Sequence, residues 1–128
     1  MITGIWSITL TVANLERSVY FYENILELPK KYVYGDYAGF ACGPVEIGLK
    51  TWGECEKPRK GEPCIDLLVH NIDASYNQLL SRGVEFITTP HDAAWGARIA
   101  SFHDPDHHEL QLTQVIWPKY FAVTAPGS

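Results

Sequence analysis

Residues 102–112 read FHDPDHHELQL, and six of these eleven side chains can hold a divalent cation. They are His103, Asp104, Asp106, His107, His108 and Glu109. Imidazole and carboxylate together suit zinc, iron or manganese, so the stretch is a candidate metal site. The rival is a turn. Asp104-Pro105-Asp106 sets a tight reversal, and His107 and His108 then stand in solvent. His107 and Glu109 share a face only if a strand has already begun at His107, and His103 meets Glu109 only across a hairpin. The turn is the stronger reading.

Composition narrows the chemistry further. The chain has 128 residues, 46% of them hydrophobic and 20% charged, which predicts one globular domain with a core of its own. A formal net charge of −5 argues against nucleic acid, whose phosphates need a basic surface. No apolar run is long enough for a membrane span, and MITGIWSITL lacks the basic start and cleavage site of a signal peptide. The expected location is the cytoplasm. Cys42, Cys55 and Cys64 are odd in number and show no CxxC spacing, so they are expected as reduced thiols.

The elements that must position any site are stated twice. ITLTVANLERSVYFY from Ile8 and IDLLVHNIDASYNQL from Ile65 align at an offset of 57 (65 − 8). Ile8, Leu10, Val12, Asn14 and Ser18 then meet Ile65, Leu67, Val69, Asn71 and Ser75. Each copy predicts a strand, an asparagine N-cap and an amphipathic helix. KYVY, GFAC and VEIGLK follow the first helix; VEFITT, ARIASFH and ELQLTQV follow the second, all with strand character. Each half therefore reads β-α-β-β-β, over 4–50 and 63–115. Residues 51–62 form a polar linker, and 116–128 a loosely held tail.

Two such modules in one chain resemble the vicinal oxygen chelate superfamily, which includes glyoxalase I, extradiol dioxygenases, fosfomycin-resistance enzymes and bleomycin-binding proteins. The resemblance covers about residues 4–115, and VANLERSVYFYENILEL and WGARIASFHDPDHHELQL are its most specific pieces. It implies an α+β fold in which two β-α-β-β-β modules form a cupped mixed sheet around a central cavity, helices outside. Strand alternation then turns Ile8, Leu10 and Val12 toward a helix and Ser7, Thr9 and Thr11 toward the cavity. Cys64, Asp66, Glu109, Gln111 and Thr113 face the cavity by the same logic.

The resemblance also locates the usual metal ligands, and this chain departs at each place. Ser7 and Cys64 stand where histidines are usual, Gln111 where a glutamate is usual, and Gly48 at its counterpart. A hydroxyl, a thiol and an amide make a poor divalent site. No metal and no other cofactor is therefore expected. Cys64 is expected as a quiet cavity thiol, since Asp66 would raise its pKa. Trp52 and Trp95 fall near the cavity rim, where they stack on a planar ligand or cap the core. Arg98 either anchors an anion or forms a structural ion pair. Glu46 matches Glu109 across the halves, a carboxylate pair able to do acid–base work or hold a cation.

The function expected is that of a metal-independent, bleomycin-resistance-like protein binding a small organic molecule, neutral or cationic, and sequestering a drug. Its binding set is Ser7, Thr9, Glu46, Trp52, Cys64, Asp66, Trp95, Arg98, His103, Glu109 and Gln111. One alternative is a lyase, isomerase or dioxygenase with a relocated metal on His103, His107, Glu109 or Glu46. Another is a ligand-sensing or partner-binding module. A homodimer is expected, with exposed aromatics such as Trp6, Trp117, Tyr120 and Phe121 at the contact.

Overall fold

The computed structural model describes residue 1, residues 5–51 and residues 64–124. Strand β1 (Ser7–Val12) buries Leu10 and Val12 on one side, as alternation requires. At Asn14 the backbone is still extended, and its side chain accepts the Arg17 N–H at 3.0 Å. Helix α1 (Leu15–Tyr20) starts on that cap and continues as a π-helical segment, Phe21–Ile25. Strands β2 (Lys30–Tyr34), β3 (Tyr37–Cys42) and β4 (Val45–Thr51) follow.

The second half repeats the plan. Strand β5 (Ile65–Leu68) leads to Asn71, which accepts the Ala74 N–H at 3.1 Å and opens α2 (Ile72–Ser81). Then come β6 (His91–Ala93), β7 (Ala97–His103), β8 (Glu109–Val115) and helix α3 (Trp117–Thr124). The sheets run β1-β4-β3-β2 and β5-β8-β7-β6. In each, the first strand pairs parallel with the last, and the other pairings are antiparallel. Ile8 pairs with Ile47 and Ile65 with Leu110, so the repeat extends to the register. This is the expected α+β fold of two β-α-β-β-β modules.

The chain forms two compact units, Met1–Glu62 with Asp104–His108, and Pro63–His103 with Glu109–Ser128. The first unit's core is Leu10, Val12, Phe21, Tyr22, Phe40, Ile47 and Leu49; the second's includes Ile72, Leu79, Phe102, Leu110 and Leu112. Asp104–His108 thus belongs by its contacts with the first unit, where sequence order had put it in the second module. The cause is hydrogen bonding. Asp106, with a side chain only 1% exposed, accepts from Ala13 N–H and Arg17 Nη2 at 2.9 Å and from Ser18 Oγ at 3.0 Å. Asp104 accepts from Tyr22 Oη at 2.8 Å and from the N–H groups of Asp106 and His108 at 2.9 Å. The His108 ring meets the Thr11 carbonyl through Nε2 at 2.6 Å.

Three local expectations are corrected. VEFITT is not a strand: Phe86 makes an isolated bridge to Phe102, and Ile87 N–H and Thr88 N–H converge on the Ser101 carbonyl. Two successive amides on one acceptor interrupt the ladder as a bulge does, and pairing resumes at β6, beyond Pro90. Phe86 is fixed instead by rings, 4.5 Å from Tyr76 and 5.2 Å from Phe102. The tail carries α3, whose Tyr120 meets Trp95 edge-on at 6.4 Å. His108, expected in solvent, is 5% exposed.

Asp106→Ala strips the acceptor from a part-buried N–H, a buried hydroxyl and a guanidinium, so it is expected to destabilise by about 3–4 kcal/mol. Urea unfolding measures this. A loss below ~1 kcal/mol would show that the turn is not anchored as described.

Candidate functional site

Most of the candidate site residues lie on the sheet faces turned away from the helices. In the first unit α1 packs on β3 and β4, leaving Ser7, Thr9, Tyr37, Gly39, Ala41, Glu46 and Gly48 on the open face. Two tyrosines lie across this face because two glycines let them. A Cβ on Gly39 would sit 2.6 Å from the Tyr32 ring, and one on Gly48 would run into the Tyr37 hydroxyl. With that space open, the Tyr32 and Tyr37 rings stack at 6.0 Å and 11°. Tyr37 Oη reaches Thr9 Oγ1 at 3.1 Å, and Tyr32 Oη donates to Glu46 Oε2 at 2.8 Å.

Glu46 is buried, and its other oxygen takes Lys31 Nζ at 3.0 Å. Bonds from Tyr32 and then Lys31 hold the Glu46 carboxyl below its usual range. The same bond from Tyr32 to Glu46, followed by desolvation, pushes the phenol up to about 12. Lys31 also lies 5.5 Å from the centre of the Trp6 ring. Beside these groups opens a cavity of about 140 Å³, bounded by Trp6, Lys31, Ala41, Pro44, Val45 and Glu46.

In the second unit the open face carries an amide network. Gln111 Nε2 donates to Asp66 Oδ1 at 2.6 Å, Gln111 Oε1 accepts from Ser101 Oγ at 3.1 Å, and Thr113 Oγ1 donates to Asp66 at 3.2 Å. Desolvation first, then a hydrogen bond to Glu109 and the charges of Glu109 and Asp66, push the Cys64 thiol up to about 12. It is a neutral thiol at pH 7. His103 pairs with Glu109 in the ladder between β7 and β8.

The expected set therefore divides. Ser7, Thr9 and Glu46 share the open face of the first unit, and Cys64, Asp66, Glu109 and Gln111 that of the second. Arg98 does not join them. It lies with buried Ala100 and Phe102 on the helix side, bound to Asp73 and Asp92 at 3.2 Å, and is the structural ion pair of its two alternatives. Trp95 stands in the turn between β6 and β7 against α3. Trp52 lies outside the described residues. Tyr32, Tyr37, Lys31 and Ser101 were not singled out from sequence. The paired glycines could have pointed to the tyrosines, but nothing in the sequence marks Lys31.

With this geometry in hand, comparison with known proteins gives the family. Residues 4–112 match the family model described as the Glyoxalase/Bleomycin resistance protein/Dioxygenase superfamily, and the chain belongs to that superfamily. YraH of Bacillus subtilis (strain 168) is 32% identical over 123 residues, 85% of this chain and 96% of that protein. Among solved structures, a glyoxalase/bleomycin resistance protein/dioxygenase from Nocardioides superposes with a TM-score of 0.78 at 23% identity, covering 91% of this chain and 85% of the other. The fosfomycin resistance protein FosX from Listeria monocytogenes, solved with Mn(II) and sulfate, gives 0.77 at 20% identity, covering 95% and 98%. No helix among the described residues is long and apolar enough to cross a membrane.

Metal-dependent members of the family usually draw ligands from the positions of Ser7, Gly48, Cys64 and Gln111, and these four residues do not supply that set. Gly48 has no side chain, and the Tyr37 hydroxyl fills the space a side chain would need. Glu46 is a single carboxylate shared by Tyr32 and Lys31, and Gln111 is a neutral amide tied at both ends. Among the described residues no three His, Cys, Asp or Glu side chains converge on a common point.

The Tyr32–Glu46 bond has a pH signature. Folding raises the phenol above its free value of about 10, so its stabilising contribution is complete below pH 10 and lost as pH rises through about 12. Glu46 is lowered, so its contribution is present above the free carboxyl value and lost as pH falls through the depressed one. Phenolate absorbance of the parent minus Tyr32→Phe is expected to titrate at about 12, and Glu46→Gln to bring that midpoint down. A midpoint near 10 in the folded parent would refute the bond.

Proposed function

We propose that this protein is a metal-independent member of its superfamily that binds a small organic molecule on the open sheet faces, holding it without bond chemistry. Drug sequestration is the biological role this reading favours. The observation that carries it is the prior commitment of the polar groups. Glu46 is bound by Tyr32 and Lys31, and Gln111 bridges Asp66 and Ser101. Groups held in this way are preorganised for recognition, with amide, hydroxyl and aromatic surfaces presented at fixed angles. A lone Lewis acid or a poised nucleophile would need the opposite arrangement, an unsatisfied base or a low-pKa thiol.

The test is a thermal-shift screen of small organic molecules run in EDTA, followed by titration of any hit. Gln111→Leu is expected to weaken binding by roughly 1–3 kcal/mol, because it leaves a polar partner unpaired. Ser7→Val should likewise weaken a ligand held on the first unit's open face, and stability should change less in both. A hit that binds both variants as tightly as the parent, or one that binds only without EDTA, would sink the reading.

We also propose a cytoplasmic homodimer. Trp117 and Phe121 on α3 are 52% and 59% exposed and lie 5.7 Å apart ring to ring, an apolar surface suited to a two-fold contact. Sedimentation at micromolar concentration is expected to give twice the 14.4 kDa chain mass. A monomer throughout the range counts against it.

A further inference from the structure

Consecutive residues of a regular strand point to opposite faces, and Lys31 and Tyr32 do not. The ladder pairs Lys30 with Phe40 and Tyr32 with Gly39, so Lys31 is an extra residue on the β2 side. This bulge brings two neighbouring side chains onto one carboxylate: Lys31 Nζ at 3.0 Å from Glu46 Oε1, and Tyr32 Oη at 2.8 Å from Oε2. Lys30 goes elsewhere, to Glu23 at 3.3 Å. Bulges recur beside binding sites because they re-aim a side chain in this way.

The arrangement so produced has a definite chemistry. A carboxylate 8% exposed and an indole face flank one ammonium group, and a phenol hydroxyl holds the carboxylate's other oxygen. Carboxylate and aromatic face are the two groups that recognise an organic ammonium ion, by charge-assisted hydrogen bonding and by cation–π attraction. The adjoining cavity of about 140 Å³ offers apolar walls at Ala41, Pro44 and Val45 for the carbon part of such a ligand. Trp6 is 78% exposed, so core packing does not account for an indole at this position. The Lys31 side chain is 42% exposed, and its ammonium can therefore swing out and be solvated by water.

We propose that this is a binding site for a small organic ammonium ion, and that Lys31 is a resident cation which the ligand displaces from Glu46 and Trp6. The inference rests on the reading that the first unit's open face binds a small organic molecule, and it names the class. Exchange of one ammonium for another keeps the Glu46 charge balanced throughout, and no covalent bond is made or broken.

Ethylammonium chloride, compared with sodium chloride at equal ionic strength, is the probe. Lys31→Ala vacates the site, with Lys31→Met as a second variant that retains the apolar stem. Ethylammonium is expected to raise the melting temperature of either variant by several degrees more than sodium. The parent should respond only at about tenfold higher concentration, since Lys31 holds the site most of the time. Lys31→Ala/Glu46→Gln should not respond, and Trp6→Leu should lose the accompanying change in tryptophan fluorescence. Equal responses from the parent and both Lys31 variants would overturn the proposal, as would an undiminished response from the double variant. A screened ligand that needs Ser7 but is indifferent to Glu46 and Lys31 would also overturn it, while leaving small-molecule binding in place.

Discussion

The first unit is organised around one buried anion. Asp106 has exchanged its water for a backbone N–H, a serine hydroxyl and a guanidinium, and each donor comes from the end of β1 or the start of α1. A carboxylate taken from water must be fully satisfied, so these donors have little freedom to move. Their positions fix where β1 stops and where α1 begins. Because side chains alternate, fixing the end of β1 also fixes that Leu10 and Val12 go to the core and Thr9 and Ser7 to the open face. The second unit reaches a similar result with a neutral group, Ile72 N–H on Gln114 Oε1 at 2.9 Å.

From this shared frame the two halves build different surfaces. The first half lays aromatic rings over paired glycines and ends its hydrogen bonds on a charged carboxylate. The second links Ser101, Gln111, Asp66 and Thr113 through short polar side chains. Glu46 is partnered by a phenol and an ammonium in the first, and Asp66 by an amide and one hydroxyl in the second. Residues that looked like loose ligands in the sequence are thus tied into hydrogen-bonded networks. Asp104 and Asp106, the first acids the FHDPDHH stretch suggests for a metal, are spent entirely on holding the turn.

Much of this was legible in the sequence, and what was not has physical causes. Alternation in ITLTV and the two asparagine caps follow from local geometry, so the repeat, the strand faces and the helix starts could be read directly. VEFITT has the composition of a strand, yet Tyr76 and Phe102 hold Phe86 in place, and no local pattern encodes those partners. His107 adopts a left-handed backbone, φ 66°, which few residues other than glycine and asparagine take readily, so its identity alone did not mark that conformation. Arg98 was ambiguous because its partners, Asp73 and Asp92, lie on separate elements. The Lys31–Glu46–Trp6 cluster was invisible because a bulge breaks the very period by which faces are read.

That bulge also bears on how the protein behaves in a crowd. β2 is an edge strand, and all five of its residues are exposed. A straight exposed edge with Tyr32, Val33 and Tyr34 in sequence is a template on which another chain can add a strand. The extra residue distorts that edge, and Lys30 and Lys31 set positive charge along it. Deleting Lys31 would restore a regular edge, and its visible symptom would be turbidity on standing.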